Sequence, residues 1–247
     1  MIYITGDTHG EFSRFTTSNF PEQKSMTKND FVIVCGDFGG VWDNSPEEKH
    51  WLDWLNCKPF TTLFVDGNHE NFDLLGAMPE AEWNGGKVHF IRDSVIHLMR
   101  AQIFILDNKT FFTMGGASSH DISAGILELS DPDFKRKRKQ LDKQHAMYRI
   151  NHVSWWQEEM PSVDEYEAAL DKLDAVDGEV DYILSHCGPS RIVDIIGQGL
   201  YQHDELTEFF DKLTEWVDFN HWFFGHYHDN RTILQKYTLL YEQIIKL

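Results

Sequence analysis

Residues Phe31 to Gly40 read FVIVCGDFGG: five apolar residues, then Gly36-Asp37 and more glycine. A near-continuous apolar run of this length suits a strand buried on both faces. The switch to glycine then places Asp37 just beyond the strand's carboxyl end. The same pattern recurs along the chain. Ile2–Thr5 runs into Gly6-Asp7-Thr8-His9-Gly10, and Leu63–Val65, within TTLFVD, runs into Gly67-Asn68-His69-Glu70. Tyr182–Ser185 runs into His186-Cys187-Gly188-Pro189, and Trp222–Phe224 runs into Gly225-His226-Tyr227-His228.

Helical patterns lie between several of these runs. Ser45-Pro46-Glu47-Glu48 reads as a capping box with proline at the first helical position, opening a helix to about Leu55. Ser162-x-x-Glu165 predicts another, with Tyr166, Ala169, Leu170 and Leu173 on one face. A third is predicted from about Asp204 to Val217, with Leu206, Phe209, Phe210 and Leu213 inward. In the middle, Val95–Met99, Gln102–Leu106 and Thr110–Met114 predict antiparallel strands, with Asp107-Asn108-Lys109 as a turn. Thr232–Leu234 and Thr238–Ile245 read similarly. Strands alternating with helices indicate an α/β fold, here with mixed sheets. No repeat or linker divides the 247 residues, so a single domain over 1–247 is expected, with 116–155 as a long loop or a cap over the site.

Composition bounds the function. Hydrophobic residues are 41% and charged residues 25%, which excludes a disordered or fibrous chain. The formal charge of −18 argues against a broad basic nucleic-acid face and against adhesion to anionic membranes. No apolar run is long enough for a transmembrane helix, and Met1 to Gly10 lacks a signal-peptide pattern. Cys35, Cys57 and Cys187 form no C-x-x-C pair, so a reducing cytoplasm is expected.

Ligands in open α/β sheets bind outside the carboxyl ends of strands. Five strand ends here carry Asp7 and His9, Asp37, Asn68 and His69, His186, and His226 and His228. Each alone reads as a turn, a helix cap or an edge alternation. Together they predict one metal site. Imidazole with carboxylate suits manganese, iron, zinc or nickel rather than calcium. Asp7 and His9, two apart, can share one ion; the two oxygens of Asp37 can bridge two; Asn68 adds a neutral oxygen. Metals about 3.5–4 Å apart clamp a phosphoryl group. Two carboxylates against two divalent ions leave a net charge of about +2, which attracts a phosphate ester whatever the outer surface carries.

Asp-x-His, Gly-Asp, Gly-Asn-His-Glu, a strand-end His and Gly-His-x-His, in this order from residue 5 to 228, resemble the calcineurin-like metallophosphoesterases. The resemblance implies a four-layer α/β/β/α sandwich with two divalent metal ions, manganese first, with iron, zinc or nickel as alternatives. By motif, Asp7, His9, Asp37 and His228 would hold one ion, and Asp37, Asn68, His186 and His226 the other. Asp37 and Asn68 are thereby counted with the catalytic residues. His69 would protonate the leaving oxygen after in-line attack by a metal-bridging hydroxide. The likeness is to small bacterial or phage-type members, which also carry a segment like Gly115-Gly116-Ala117.

Phosphoprotein-directed members continue Gly-Asp with a further Asp-Arg-Gly, whereas Asp37 is followed by Phe38-Gly39-Gly40-Val41-Trp42. A protein phosphatase is therefore disfavoured. The partner of His69 stays open, with Glu70 either that partner or a loop anchor. His120 and Asp121, after Ser118, are candidate substrate contacts or an ordinary polar loop. His203, after Gly197-Gln198-Gly199, is a further candidate. Lys135-Arg136-Lys137-Arg138-Lys139 reads as a solvated helix face, or as a basic lip that steers substrate. The expected function is hydrolysis of phosphate mono- or diesters. Alternatives are a nuclease using the same centre and a non-catalytic protein-binding scaffold.

Overall fold

The computed structural model describes residues 1–247 and builds them around two large mixed sheets. In chain order the strands are β1 (Ile2–Thr5), β2 (Phe31–Cys35), β3 (Thr61–Val65), β4 (Glu80–Trp83), β5 (Gly86–Arg92), β6 (Val95–Leu98), β7 (Gln102–Leu106) and β8 (Lys109–Met114). They continue with β9 (Ile126–Leu127), β10 (Arg149–Ile150), β11 (Glu179–Ser185), β12 (Asp218–Phe224), β13 (Arg231–Ile233), β14 (Tyr237–Leu239) and β15 (Ile245–Lys246). The helices are α1 (Pro46–Asn56), α2 (Phe72–Gly76), α3 (Phe134–Gln144), α4 (Val163–Asp174), α5 (Ser190–Gly197) and α6 (Glu205–Leu213).

One sheet runs β15-β1-β2-β3-β6-β5-β4 and the other β13-β14-β12-β11-β8-β7. Each has a parallel centre (β1·β2·β3·β6; β8·β11·β12·β14) and antiparallel edges. Alternation along the strands divides the side chains into layers. From β2 and β3, Ile33, Cys35, Leu63 and Val65 meet Leu184 and Phe223 of the other sheet. Their neighbours Val32, Val34 and Phe64 pack outward with Leu52 and Leu55 of α1. Ile183, Trp222 and Phe224 face the opposite way, onto Ala169, Leu173, Leu206 and Phe210 of α4 and α6. The result is helix, sheet, sheet, helix. Truncating a side chain such as Leu63 in the central layer costs about 2–5 kcal/mol.

Local chemistry explains the helix starts. Ser162 and Glu165 form the reciprocal capping box, and Asp204 with Thr207 forms another. At α1, Ser45 accepts from the Glu48 N–H at 3.1 Å, but the Glu48 carboxylate turns instead to the N–H groups of Trp42, Asp43 and Asn44. Half of the expected box is thus replaced by a clamp on the preceding loop. Leu170 is 42% exposed, off the buried stripe of Ala169 and Leu173, because the stripe on α4 is narrow.

Two strand expectations need correction. Val95–Leu98 does not form a meander with Gln102–Leu106. β6 pairs with β3 and β5, while β7 and β8 belong to the other sheet, so the chain changes sheets between Leu98 and Gln102. Apolar period alone carries no record of which sheet a strand joins. Thr238–Ile245 is also broken: β14 ends at Leu239, and β15 crosses over to pair with β1. The β7–β8 turn uses Asp107 and Asn108, both at positive φ, with Lys109 already in the strand. Within 116–155 lie the two-residue β9·β10 ladder and α3, which buries no side chain.

Candidate metal centre

The carboxyl ends of β1, β2 and β3 adjoin in one sheet, and those of β11 and β12 in the other. The turns leaving them are tight. A Cβ on Gly36 would collide with the His186 ring, one on Gly67 with Asp37 Oδ1, and one on Gly225 with Asp7 Oδ1. The glycines beside the motif acids are thus the room into which the polar side chains fit. His9, Asp37, His226 and His228 all have φ between 46° and 72°. Non-glycine residues in this region carry backbone strain, which gathers at functional sites.

Asp7 and Asp37 are buried at the middle. His228 Nε2 lies 3.2 Å from Asp7 Oδ2, and His9 lies 3.9 Å from Asp7 Oδ2 and 3.8 Å from Asp37 Oδ2. His186 Nε2 lies 3.2 Å from Asp37 Oδ1. Asp7, His9 and His228 therefore form one cluster able to hold an ion, and Asp7, Asp37 and His186 another. The His226 ring sits 5.0 Å from that of His186, and the His226 N–H donates to Asp7. The His69 N–H donates to Asp37 Oδ1 at 2.7 Å.

Asn68 Oδ1 and His186 Nε2 are two of five buried side-chain atoms that lack a hydrogen-bond partner, and the two that belong to motif residues. Buried polar atoms are normally satisfied, and leaving one bare costs about 1–3 kcal/mol. Both are ligand-type atoms on side chains whose other polar end is already tied. His186 Nδ1 is fixed on the Cys35 carbonyl at 2.8 Å. Asn68 Nδ2 donates to Ser119 Oγ at 3.3 Å, and Ser119 Oγ donates to buried Glu159 at 2.7 Å. This is how outer groups orient metal ligands. The donor set therefore fits divalent ions.

The titration pattern agrees. Burial acts against the charge on His186, but Asp37 and then Asp7 overcome it, pushing its pKa up to about 10. Burial likewise raises Asp37, and the charge of His186 beside it more than reverses this, holding the carboxyl far below its usual range. Burial lowers the pKa values of His9, His69 and His226.

A cleft of about 260 Å³ opens onto this cluster, lined by Asp37, Asn68, His69, His120, Asp121, Tyr201, His226, Tyr227 and His228. His120 and Asp121 are thus beside the centre. His203 is not in the lining: its Nε2 bonds Asp194 at 2.8 Å, and Tyr201 of the same loop lines the cleft. Glu70 accepts from the Phe38 N–H at 2.7 Å and from Gly39, so it anchors the loop after Asp37 and is not a partner of His69. In 135–139, Arg136 and Lys137 pair with Asp133 and Asp131, and Arg138 approaches Asp142.

Other residues at the site escaped the sequence reading. Arg14 donates to the carbonyls of Gly6, Asp7 and Tyr241, stapling the turn after β1. Ser119 and Glu159 orient Asn68. Arg149 forms an ion pair with Asp121. None lies in a motif. Tyr227 alone had a signal, as the residue between the two histidines of Gly-His-x-His.

Comparison with known proteins is consistent with this geometry. A lariat debranching enzyme A from Xenopus laevis is 27% identical over 105 residues, covering 36% of this chain and 20% of that protein. The lariat debranching enzyme of Drosophila pseudoobscura pseudoobscura is 29% identical over the same length and shares. That of Caenorhabditis briggsae is 24% identical over 208 residues, 78% of this chain and 37% of the relative. The chain thus spans well under half the length of these relatives. The family model for the calcineurin-like phosphoesterases matches residues 1–230. With that match running through all five strand-end motifs, the chain belongs to the calcineurin-like phosphoesterase family.

Proposed function

We propose that this chain hydrolyses phosphate esters in the cleft above Asp7 and Asp37, using two divalent ions, manganese first. The observation that carries the reading is the gathering of His9, His186 and His228 at 3.2–3.9 Å from the buried carboxylates Asp7 and Asp37, with Asn68, whose Oδ1 lacks a hydrogen-bond partner, lining the same cleft. Asp7, His9, Asp37 and His228 would hold one ion, and Asp37, Asn68, His186 and His226 the second. Such ions, when bound, draw charge from phosphoryl oxygens and bring the pKa of water toward neutrality.

The remaining steps belong to the chain. His69 lines the cleft, and its main-chain N–H is tied to Asp37. In this reading it gives a proton to the leaving oxygen. Asp121 lines the same cleft. Burial raises its carboxyl, but the Arg149 hydrogen bond and charge, with His69, hold it below the usual range, so it stays ionised beside the imidazole. In this reading Asp121 fills the open place of a carboxylate near His69. His120 and Asp121 contact substrate, and residues 116–155 act as a cap within a single domain. Three free cysteines fit a reducing compartment such as the cytoplasm.

The test is metal content together with hydrolysis of p-nitrophenyl phosphate and bis-p-nitrophenyl phosphate in Mn²⁺, Ni²⁺ and Zn²⁺. His69→Ala is expected to lower kcat on an alkyl phosphate by about 10²- to 10⁴-fold with bound metal unchanged. Unchanged turnover overturns the role of His69. No bound metal and no hydrolysis favours the scaffold. The similarity to lariat debranching enzymes supports a second reading, a nuclease using the same centre.

A further inference from the structure

The cleft has an aromatic side that the chemistry above leaves unused. Tyr201 and Tyr227 line it together with the polar residues. Tyr227, between His226 and His228, packs edge-on against the His226 ring at 4.9 Å. Tyr201 lies over it with ring centroids 5.1 Å apart and planes 38° apart. Tyr201 is still 41% exposed.

The backbone is shaped to bring Tyr201 there. Gln198 and Gly199 both take positive φ, turning the chain back after α5. Gly197 must lack a Cβ, because one would strike the Tyr201 ring. Asp121, with its side chain 41% exposed and paired to Arg149, lines the same cleft.

We infer that Tyr201 and Tyr227 form a stacking shelf for the nucleobase of a nucleotide-type phosphate ester. The inference rests on the phosphoesterase reading and names its substrate class. Every nucleobase has a π-face, and aromatic side chains stack on it. A nucleobase also carries edge donors that a carboxylate such as Asp121, in the cleft lining, can meet, whereas the ring of an aryl phosphate carries almost none. The cleft, at about 260 Å³, falls just below the roughly 300–1,000 Å³ of sites that engulf a larger ligand. It suits a single nucleotide, with the base at the open aromatic side, better than a longer strand. The charge of −18 disfavours a long polynucleotide footprint and leaves a short nucleotide as the better fit.

The experiment uses the Mn²⁺-loaded full chain and measures competitive inhibition of p-nitrophenyl ester hydrolysis by AMP, ribose 5-phosphate, phosphotyrosine and inorganic phosphate. The inhibition constant for AMP is expected to be about 5- to 100-fold below that for ribose 5-phosphate. Tyr201→Ala should close that gap, and Tyr201→Phe should keep it. Equal constants in the wild type overturn the shelf, as does a gap that survives Tyr201→Ala. Phosphotyrosine binding more tightly than AMP also overturns it, in favour of an aryl ester. If Tyr201→Ala does not fold, the wild-type ratio and Tyr201→Phe decide. If no ester is hydrolysed at all, the phosphoesterase reading fails, and calorimetry of AMP against ribose 5-phosphate applies the same criterion to the shelf.

Discussion

The Asn68 carboxamide can offer either its oxygen or its nitrogen as the free end, and here the oxygen is the one left without a hydrogen-bond partner. Ser119 takes the nitrogen, and Glu159 accepts both the hydroxyl and the main-chain N–H of Ser119. Glu159 is in turn reached through buried Arg100, which donates to the Glu158 carbonyl at 2.7 Å and grips Asp66, two residues before Asn68. Asn68 is thus held from both sides by residues that do not enter the cleft. On the proposed assignment, Ser119→Ala should weaken Mn²⁺ binding by about 10- to 100-fold, measured by calorimetry, with little change in Tm. Glu159→Gln should weaken it less, since an amide can still accept from Ser119. Unaltered affinity in Ser119→Ala would remove Ser119 from the support of the site. Nothing in the sequence singles out Ser119 as the residue that orients Asn68. It lies 51 residues away, in a segment legible only as polar.

Elements whose cause is local were legible, and those set by partners were not. The five strand ends were visible because apolar run and glycine stop are consecutive in the chain. The β4–β5 hairpin went unseen, although Asn84-Gly85 is a strong turn signal, because Glu80–Trp83 is half exposed and polar at alternate positions. Helix α3 is the extreme case of an element with few ties. It buries no side chain, the side chain of its N-cap Asp133 caps no helix N–H, and the pairs along it are exposed. Such pairs add little stability, so opening here is expected at low free energy. Brief trypsin treatment should cut first within Lys135–Lys143, as read by mass spectrometry, while both sheets persist. First cleavage elsewhere would show that the segment is better anchored than its contacts indicate.

At the scale of the whole molecule, a buried polar chain runs behind the Gly67-Asn68-His69 turn. Arg100 binds Asp66, His97 Nε2 sits 3.2 Å from Asp66, and His89 faces His97 at 3.1 Å. Burial, and then His97, press the pKa of His89 down to about 4. The unfolded chain takes this proton near pH 6.5. The stability held by neutral His89 is therefore complete above about 6.5 and is lost as pH falls toward 4. His89→Gln removes that titration, so the decline of Tm between pH 7 and 4.5 should be shallower than in the wild type. Parallel declines would show that His89 gains protons equally in both states.

By itself the sequence determined which polar residues stand at which strand ends, and with them the family, because strand period, glycine demand and i, i+2 ligand spacing are written in adjacent residues. The net charge of −18 was legible too, as was the gathering of Asp7, Asp37 and the strand-end histidines into one site, but not their burial or mutual distances. Tertiary structure alone decided that β6 and β7 part into different sheets, that Glu70 holds a loop, that Asp121 meets Arg149 and that Tyr201 displaces His203 from the cleft. Each of these depends on which surfaces pack together across long chain separations, and a side chain's local sequence is the same whichever partner packing delivers to it.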